Sequence, residues 1–184
     1  WFDKHDTVIK GIKFENCIFD SNRVTDNNEG GAIIIREQAV PSFIGCTFIN
    51  NYVSDPDNGR NGGAVKIDGA NSIADLQNTI NFKQCKFIGN YVKAFDNAYG
   101  GAVYAQRNTL FENCVFVKNG AIAGFGETNS DDYNESQGGA IYSAGGYDQT
   151  GVVTVISDCT FDRNYVDERT SQGSPFATDV FYGY

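Results

Sequence analysis

Hydrophobic and polar residues along this chain alternate with period two in short runs, the pattern of β-strands with one buried face rather than of a helix. In Cys85-Lys86-Phe87, the Cys and Phe fall on one side and the Lys on the other; Val65-Lys66-Ile67 divides the same way. A lysine ammonium is not left in an apolar core, so the Cys, the Phe and the flanking aliphatics face inward. Three short strands per unit follow: one ending on a leading Phe or Ile (Ile12 to Phe14, Thr79 to Phe82, Val152 to Ile156), one at Cys-x-Phe, and one at Gly-Ala-Ile/Val. Gly-Gly pairs interrupt the pattern and argue further against helix.

The strands belong to a repeat. Phe14-x-x-Cys17-x-Phe19-x-x-Asn22 recurs as Phe43, Cys46, Phe48, Asn51; as Phe82, Cys85, Phe87, Asn90; as Phe111, Cys114, Phe116, Asn119; and, led by Ile156, as Cys159, Phe161, Asn164. A second block follows four of the five: Gly30-Gly31-Ala32-Ile33, Gly62-Gly63-Ala64-Val65, Gly100-Gly101-Ala102-Val103 and Gly138-Gly139-Ala140-Ile141. After the fifth it degenerates to Ala177-Thr178-Asp179-Val180. Successive Cys lie 29, 39, 29 and 45 residues apart, so fixed motifs are separated by elastic segments, the mark of a stacked scaffold with variable loops. The expected fold is all-β: a right-handed single-stranded parallel β-helix of about five rungs, each of three short strands. One such domain is expected to span residues 1–184. At about 4.8 Å per rung the column would be about 24 Å tall.

The paired Phe-x-x-Asn and Gly-Gly-Ala-Ile/Val motifs resemble the repeat of the chlamydial polymorphic outer-membrane proteins. They are similar too to repeats of large adhesin-like proteins in other bacteria, methanogenic archaea and some protists. The resemblance runs from about Ile9 to Tyr182 and is specific for architecture, not for any one activity. It implies surface display, adhesion and, in some members, export as an autotransporter passenger; the outer-membrane barrel of such proteins is not in this sequence.

Stacked rungs turn each repeated residue into a file. Asn22, Asn51, Asn90, Asn119 and Asn164 should hydrogen-bond to one another and to turn backbone. Cys17, Cys46, Cys85, Cys114 and Cys159 would have Cβ atoms about 4.8 Å apart, beyond the usual disulfide range, so five free, buried thiols are expected. Phe19, Phe48, Phe87, Phe116 and Phe161 form the aromatic file of the core. The Gly pairs supply either positive φ or a close backbone approach. They lack the Lys-Ser/Thr of a phosphate-binding loop.

Composition and charge narrow the function classes. Twenty-three Asp and Glu against 14 Lys and Arg give a net charge of −9, and the basic residues are scattered, which excludes a nucleic-acid partner. No apolar run is long enough for a membrane span. The chain contains no Met and begins at Trp1 with no signal peptide, which reads as a processed protein or a segment of a larger one from an extracellular or cell-surface setting.

Candidate chemistry lies in loops and on outer faces. Between the Asn and Gly-Gly blocks run acidic loops, expected to protrude as one ridge, in which Asp55, Asp57, Asp131 and Asp132 offer oxygen ligands for a weak Ca²⁺ site; no other cofactor is expected. Tyr52, Tyr91 and Tyr165 follow the ladder Asn, while Ile34, Lys66, Tyr104 and Tyr142 should form an outward column. Exposed aromatics of this kind stack on sugars or cover a partner. Lys66, Lys86, Asp55 and Asp96 are conceivable members of a lyase or hydrolase site, but no spacing singles them out, and His5 stands alone near the start. No residue is therefore assigned as catalytic. The expected function is a structural or adhesive display domain. Its partners would be a cell-surface glycan or protein, or other segments or copies meeting the unpaired strand edges at the column ends. A polysaccharide-processing enzyme and a filament or surface-layer subunit are the alternatives.

Overall fold

The computed structural model describes residues 9–25, 28–36, 39–69, 78–124, 135–144, 152–168 and 179–183, which contain strands and no helix. The first rung holds β1 (Ile9–Glu15), β2 (Ile18–Asp20), β3 (Arg23–Thr25) and β4 (Ile33–Ile35). The second holds β5 (Ala39–Ile44), β6 (Thr47–Ile49), β7 (Tyr52–Asp55), β8 (Arg60–Asn61) and β9 (Val65–Ile67). In the third are β10 (Ile80–Lys83), β11 (Lys86–Ile88), β12 (Tyr91–Ala94), β13 (Ala98–Tyr99) and β14 (Val103–Ala105). The fourth comprises β15 (Thr109–Glu112), β16 (Val115–Val117), β17 (Gly120–Ala123), β18 (Ser136–Gln137) and β19 (Ile141–Ala144). The fifth comprises β20 (Thr154–Ser157), β21 (Thr160–Asp162), β22 (Tyr165–Glu168) and β23 (Val180–Gly183).

Each strand pairs only with its counterparts in neighbouring rungs, and every pair is parallel, which makes the fold a parallel β-helix. The sheets run β1-β5-β10-β15-β20, β2-β6-β11-β16-β21, β3-β7-β12-β17-β22, β8-β13-β18 and β4-β9-β14-β19-β23. Register places Phe on Phe: Phe14, Phe43, Phe82 and Phe111 stack at 4.9, 4.7 and 5.1 Å between ring centroids. Phe19, Phe48, Phe87, Phe116 and Phe161 stack at 4.7, 4.8, 4.7 and 4.9 Å. Both intervals are the rung spacing itself, and the two files meet edge to face, for example Phe82 with Phe87 at 5.7 Å.

The rung is richer than three strands. In the second to fourth rungs two more occupy the segment between the ladder Asn and the Gly-Gly, and in the first and fifth one more is described, where the acidic sequence had marked protruding loop. Val92, Ala94, Ala98, Ala121 and Ala123, with Val166 against them, close a second small core, separate from the main core of Phe, Cys, Ile, Val and Ala. Its inward residues are mostly alanines, too small to stand out as a hydrophobic pattern, and this hid the strands from a sequence reading.

The Gly-Gly pair bends the chain back from the second core to the first, and its two glycines work differently. The leading one holds positive φ: 66° at Gly30 and Gly62, 67° at Gly100 and 62° at Gly138. The following one touches the backbone of the third sheet. A Cβ on Gly101 would meet the Gly139 carbonyl oxygen and lie within 2.6 Å of the Gly120 nitrogen.

Two more corners per rung use the left-handed region without always using glycine. The residue before each Cys is Asn16, Gly45, Gln84, Asn113 or Asp158, and the residue before each ladder Asn is Ser21, Asn50, Gly89, Lys118 or Arg163; all have φ between 52° and 62°. This conformation costs a non-glycine residue about 1–2 kcal/mol, less for Asn and Asp. Lys118 is exposed, with φ 55°. Lys118→Gly is therefore expected to stabilise the chain by about 0.5 kcal/mol after the entropy of an added glycine is subtracted, measured as a raised urea midpoint.

Candidate functional site

The interior files carry the densest polar chemistry. Asn51 Oδ1 accepts both the backbone N–H (3.0 Å) and the Nδ2 (2.8 Å) of Asn22 in the rung before. The same pair of hydrogen bonds runs from Asn51 to Asn90, from Asn90 to Asn119 and from Asn119 to Asn164, at 2.9–3.0 Å throughout. The remaining Nδ2 hydrogen goes to a Phe carbonyl one rung back: Asn51 to Phe19, Asn90 to Phe48, Asn119 to Phe87 and Asn164 to Phe116. Every donor and acceptor of an interior amide is thus used, which is what lets Asn51, Asn90 and Asn119 be fully buried. The file ends on Asp179, whose Oδ1 accepts from Asn164 Nδ2 at 3.0 Å. Asp179 stands in the slot that Ala64, Ala102 and Ala140 fill in earlier rungs, since its carbonyl receives the N–H groups of Ala140 and Ile141 as theirs receive the N–H groups of the rung before.

All five thiols are free. Cys46, Cys85, Cys114 and Cys159 each donate to the carbonyl of the leading Phe one rung back, at 3.3–3.5 Å. Cys46, Cys85 and Cys114 are buried; Cys17 and Cys159 are only half-buried, because each lies on a terminal rung, with a described neighbour on one side only. Burial pushes the Cys46 and Cys159 thiols up, and contact with Cys85 together with burial pushes Cys114 up. Cys46, Cys114 and Cys159 are held protonated, the wrong state for a nucleophile, whereas the hydrogen bond with Cys114 pulls Cys85 down.

The outer tyrosines fall into two separate groups. On the third sheet Arg23, Tyr52, Tyr91, Gly120 and Tyr165 are in register. Tyr52 and Tyr91 stack at 4.9 Å, and the Arg23 guanidinium lies 5.2 Å from the Tyr52 centroid. Gly120 leaves a gap that the Tyr165 ring fills, since a Cβ there would collide with Tyr165 Cζ. The Tyr52 and Tyr91 faces are therefore turned along the column toward each other, and the Tyr165 ring tip and hydroxyl lie over Gly120.

The second group lies where the fourth and fifth sheets meet at the Gly-Gly corner. Tyr104 stacks on Tyr142 at 5.3 Å, and Tyr142 on Tyr99 at 4.7 Å. Tyr99 Oη donates to Glu135 Oε2 at 3.0 Å, and Gln137 Nε2 donates to the same oxygen at 3.0 Å. Below them the Lys66 ammonium bridges Glu29 and Asp68, with Asn61 Nδ2 also donating to Glu29. Burial works against the charge on Lys66, but the hydrogen bonds it donates to Glu29 and Asp68 outweigh it and hold the ammonium above its ordinary range. Burial, reinforced by nearby phenols and carboxylates, pushes up Tyr99, Tyr104, Tyr142, Tyr91 and Tyr165. Tyr104 is 8% exposed and contributes packing rather than contact surface. Sequence reasoning missed Tyr99, and it had Glu29 and Glu135 only as members of the acidic loops. A signal was present for Tyr99 and Glu29: the residue before each Gly-Gly is Glu29, Asn61, Tyr99 or Gln137, a polar or aromatic file of its own.

Asp55 and Asp57 do not act together. Asp55 is buried, pairs with Arg60, and accepts the N–H groups of Asp57 (2.8 Å) and Asn58 (3.2 Å); Asp57 is exposed. An acidic loop that looked like a ligand set is in fact a turn closed around one buried carboxylate. Asp131 and Asp132 lie outside the described residues, as does His5. Among the described residues no group of three His, Cys, Asp or Glu is placed to hold a metal ion. Lys86 is exposed and lies on a different sheet from Lys66, and Asp96 sits in the turn after β12. Ser136, third residue of the sequon Asn134-Glu135-Ser136, is buried, and its hydroxyl bonds to the Asp167 carbonyl at 2.8 Å.

No protein family, curated protein or solved structure matches this chain. No helix among the described residues is long and apolar enough to cross a membrane.

The raised thiols and phenols predict an alkaline limit. In the unfolded chain such groups ionise near 9.0 and 10.0, whereas the fold holds them protonated beyond those values. An acid with a raised folded pKa gives stability that is complete below its unfolded pKa and is lost as pH climbs through the interval. Lys66 acts in the same direction, its contribution being lost above 10.5. The thermal midpoint should be flat up to about pH 8.5 and fall steadily above it; a midpoint unchanged at about pH 10.5 would contradict the burial of these groups.

Proposed function

We propose that the chain is a non-catalytic structural or adhesive β-helix displayed on a cell surface or outside the cell, presenting its outer faces to a glycan or protein. The main support is how the repeated residues are spent. Asn, Cys, Phe and Gly of every rung serve the scaffold, and the charged and aromatic candidates pair with one another instead of converging on a cleft. What varies from rung to rung is the outer face, and that is where a display protein carries its specificity. The repeat's resemblance to polymorphic outer-membrane and adhesin-like proteins fits the same reading.

With the Tyr52 and Tyr91 faces stacked on each other, recognition falls to the outer edge of this row and to the 40%-exposed Tyr165. The test is binding of the purified chain to a glycan array and to intact cells. Saturable binding should weaken about tenfold in Tyr165→Ala with the fold retained by circular dichroism. Release of unsaturated sugars, seen as new ultraviolet absorbance, would replace this reading with a lyase.

A further inference from the structure

Asn61 is wired differently from the ladder amides. The interior ladder uses every donor and acceptor, whereas Asn61 Oδ1 is buried and accepts no hydrogen bond among the described residues. Asn61 Nδ2 donates to Glu29 Oε1 at 2.5 Å. The other oxygen of that carboxylate, Oε2, receives the Lys66 ammonium. Two donors on the two oxygens of one carboxylate are neighbours, so an amine and a side-chain amide meet at a single acid. Lys66 and Glu29 leave only 16% and 21% of their side chains to solvent, so water is largely kept from the group.

The Gly-Gly corner makes this meeting. Asn61 ends β8 and Lys66 lies in β9, on either side of Gly62-Gly63. The equivalent pair one rung on, Tyr99 and Tyr104, both stack on Tyr142, so the bend brings these two positions together. Glu29 comes from the slot of Asn61 one rung earlier, the residue before Gly-Gly.

We propose that Lys66 Nζ and Asn61 Cγ join in an isopeptide bond, with Glu29 carrying the proton. Glu29 Oε2 takes a proton from the ammonium, and the freed lone pair on Nζ attacks Cγ. The Nζ–Cγ bond forms and the Cγ–Nδ2 bond breaks. Of the three Nζ hydrogens one stays on the new amide, and two leave with Nδ2, one of them by way of Glu29, so the product is ammonium. Glu29 ends as the carboxylate it began as, and nothing is oxidised or reduced. Around Nζ stand Glu29, Asp68, which also pairs with Arg36, and Tyr104, next in register on β14. The two carboxylates favour the charged amine, so the bond forms slowly at neutral pH and faster as pH rises. The proposal rests on this cluster and stands independently of glycan binding.

The test is the mass of the purified folded chain after several days at about pH 8.5, below the alkaline loss of stability. Loss of one ammonia is expected. Trypsin cuts after Arg60 and Lys66, but an acylated Lys66 is not cut, so the digest should contain a peptide from Asn61 to Lys83 carrying that loss. Lys66→Arg keeps the charge and should remain fully cleavable at this position. Glu29→Gln keeps a hydrogen-bonding side chain and should slow the reaction by about a hundredfold or more. The parent chain in denaturing urea at the same pH needs no variant to fold, and its Lys66 should stay cleavable. An unchanged mass in the folded parent overturns the proposal. So does ammonia lost while trypsin still cuts after Lys66, the mark of Asn58 or Asn61 closing onto the next glycine; the Gly62 N–H is committed to the Tyr99 carbonyl at 2.9 Å. Loss of water instead of ammonia would move the bond to Glu29 or Asp68 and overturn it as well. Equal rates in the parent and Glu29→Gln would overturn the part given to Glu29.

Discussion

Asn90→Leu is expected to destabilise the chain by about 4 kcal/mol, while Asn22→Leu should cost less than about 1 kcal/mol. The side chains are chemically the same and differ only in place. Removing the Asn90 amide leaves the Asn51 N–H, the Asn51 Nδ2 and the Phe48 carbonyl without their partners in a fully buried setting. Each buried orphan costs about 1–3 kcal/mol, against which the added burial of Leu offsets only part. Asn22 is exposed, and water replaces what its amide loses; Asn51 Oδ1 keeps the Asn22 backbone N–H. Urea denaturation of the two variants, compared with the parent at equal m-value, measures the difference. Equal losses at the two positions would show that the amides do not form a continuous buried file.

Gly101→Ala should be as damaging as any single methyl added to this protein, at about 4 kcal/mol. The new Cβ would be driven into the Gly139 carbonyl on one side and the Gly120 backbone, within 2.6 Å, on the other. Backbone in paired strands cannot move aside as a side chain can, so the rung would have to open at the junction of its two cores. Gly45→Ala is the control. Gly45 has φ 62°, and its Cβ would meet only the Asn16 Oδ1, the far end of a flexible side chain, so about 1 kcal/mol is expected. The ranking is read from thermal midpoints, and equal shifts for the two variants would remove the close-approach role assigned to the second glycine.

The files of Phe, Cys and Asn were legible because each is an identity repeated at a fixed offset, and stacking was the only arrangement that gave every copy the same surroundings. The extra two strands were not legible, since Val53, Val92 and Ala121 alternate with Tyr52, Tyr91 and Gly120 over too few residues to announce a strand. The candidate site divides the same way. Lys66, Tyr104 and Tyr142 could be placed in one column from the Gly-Gly-Ala motif, and the register pairs Lys66 with Tyr104 and Tyr104 with Tyr142. That Tyr99 from another sheet would stack on Tyr142, or that Asp55 would turn inward to Arg60, depended on where the chain folds back.

By itself the sequence determined the parallel stacked architecture, the inward identity of its repeated residues and the equivalence of its rungs, because period-two alternation and a fixed motif leave little freedom in how such units bury their faces. Tertiary structure decided the two-core cross-section, the direction in which the Tyr52 and Tyr91 faces point, and the bond that Asn164 makes to Asp179. Each of these depends on contacts between segments that are distant along the chain, where an alanine, a glycine or an aspartate acquires its role only from what the neighbouring rung sets against it.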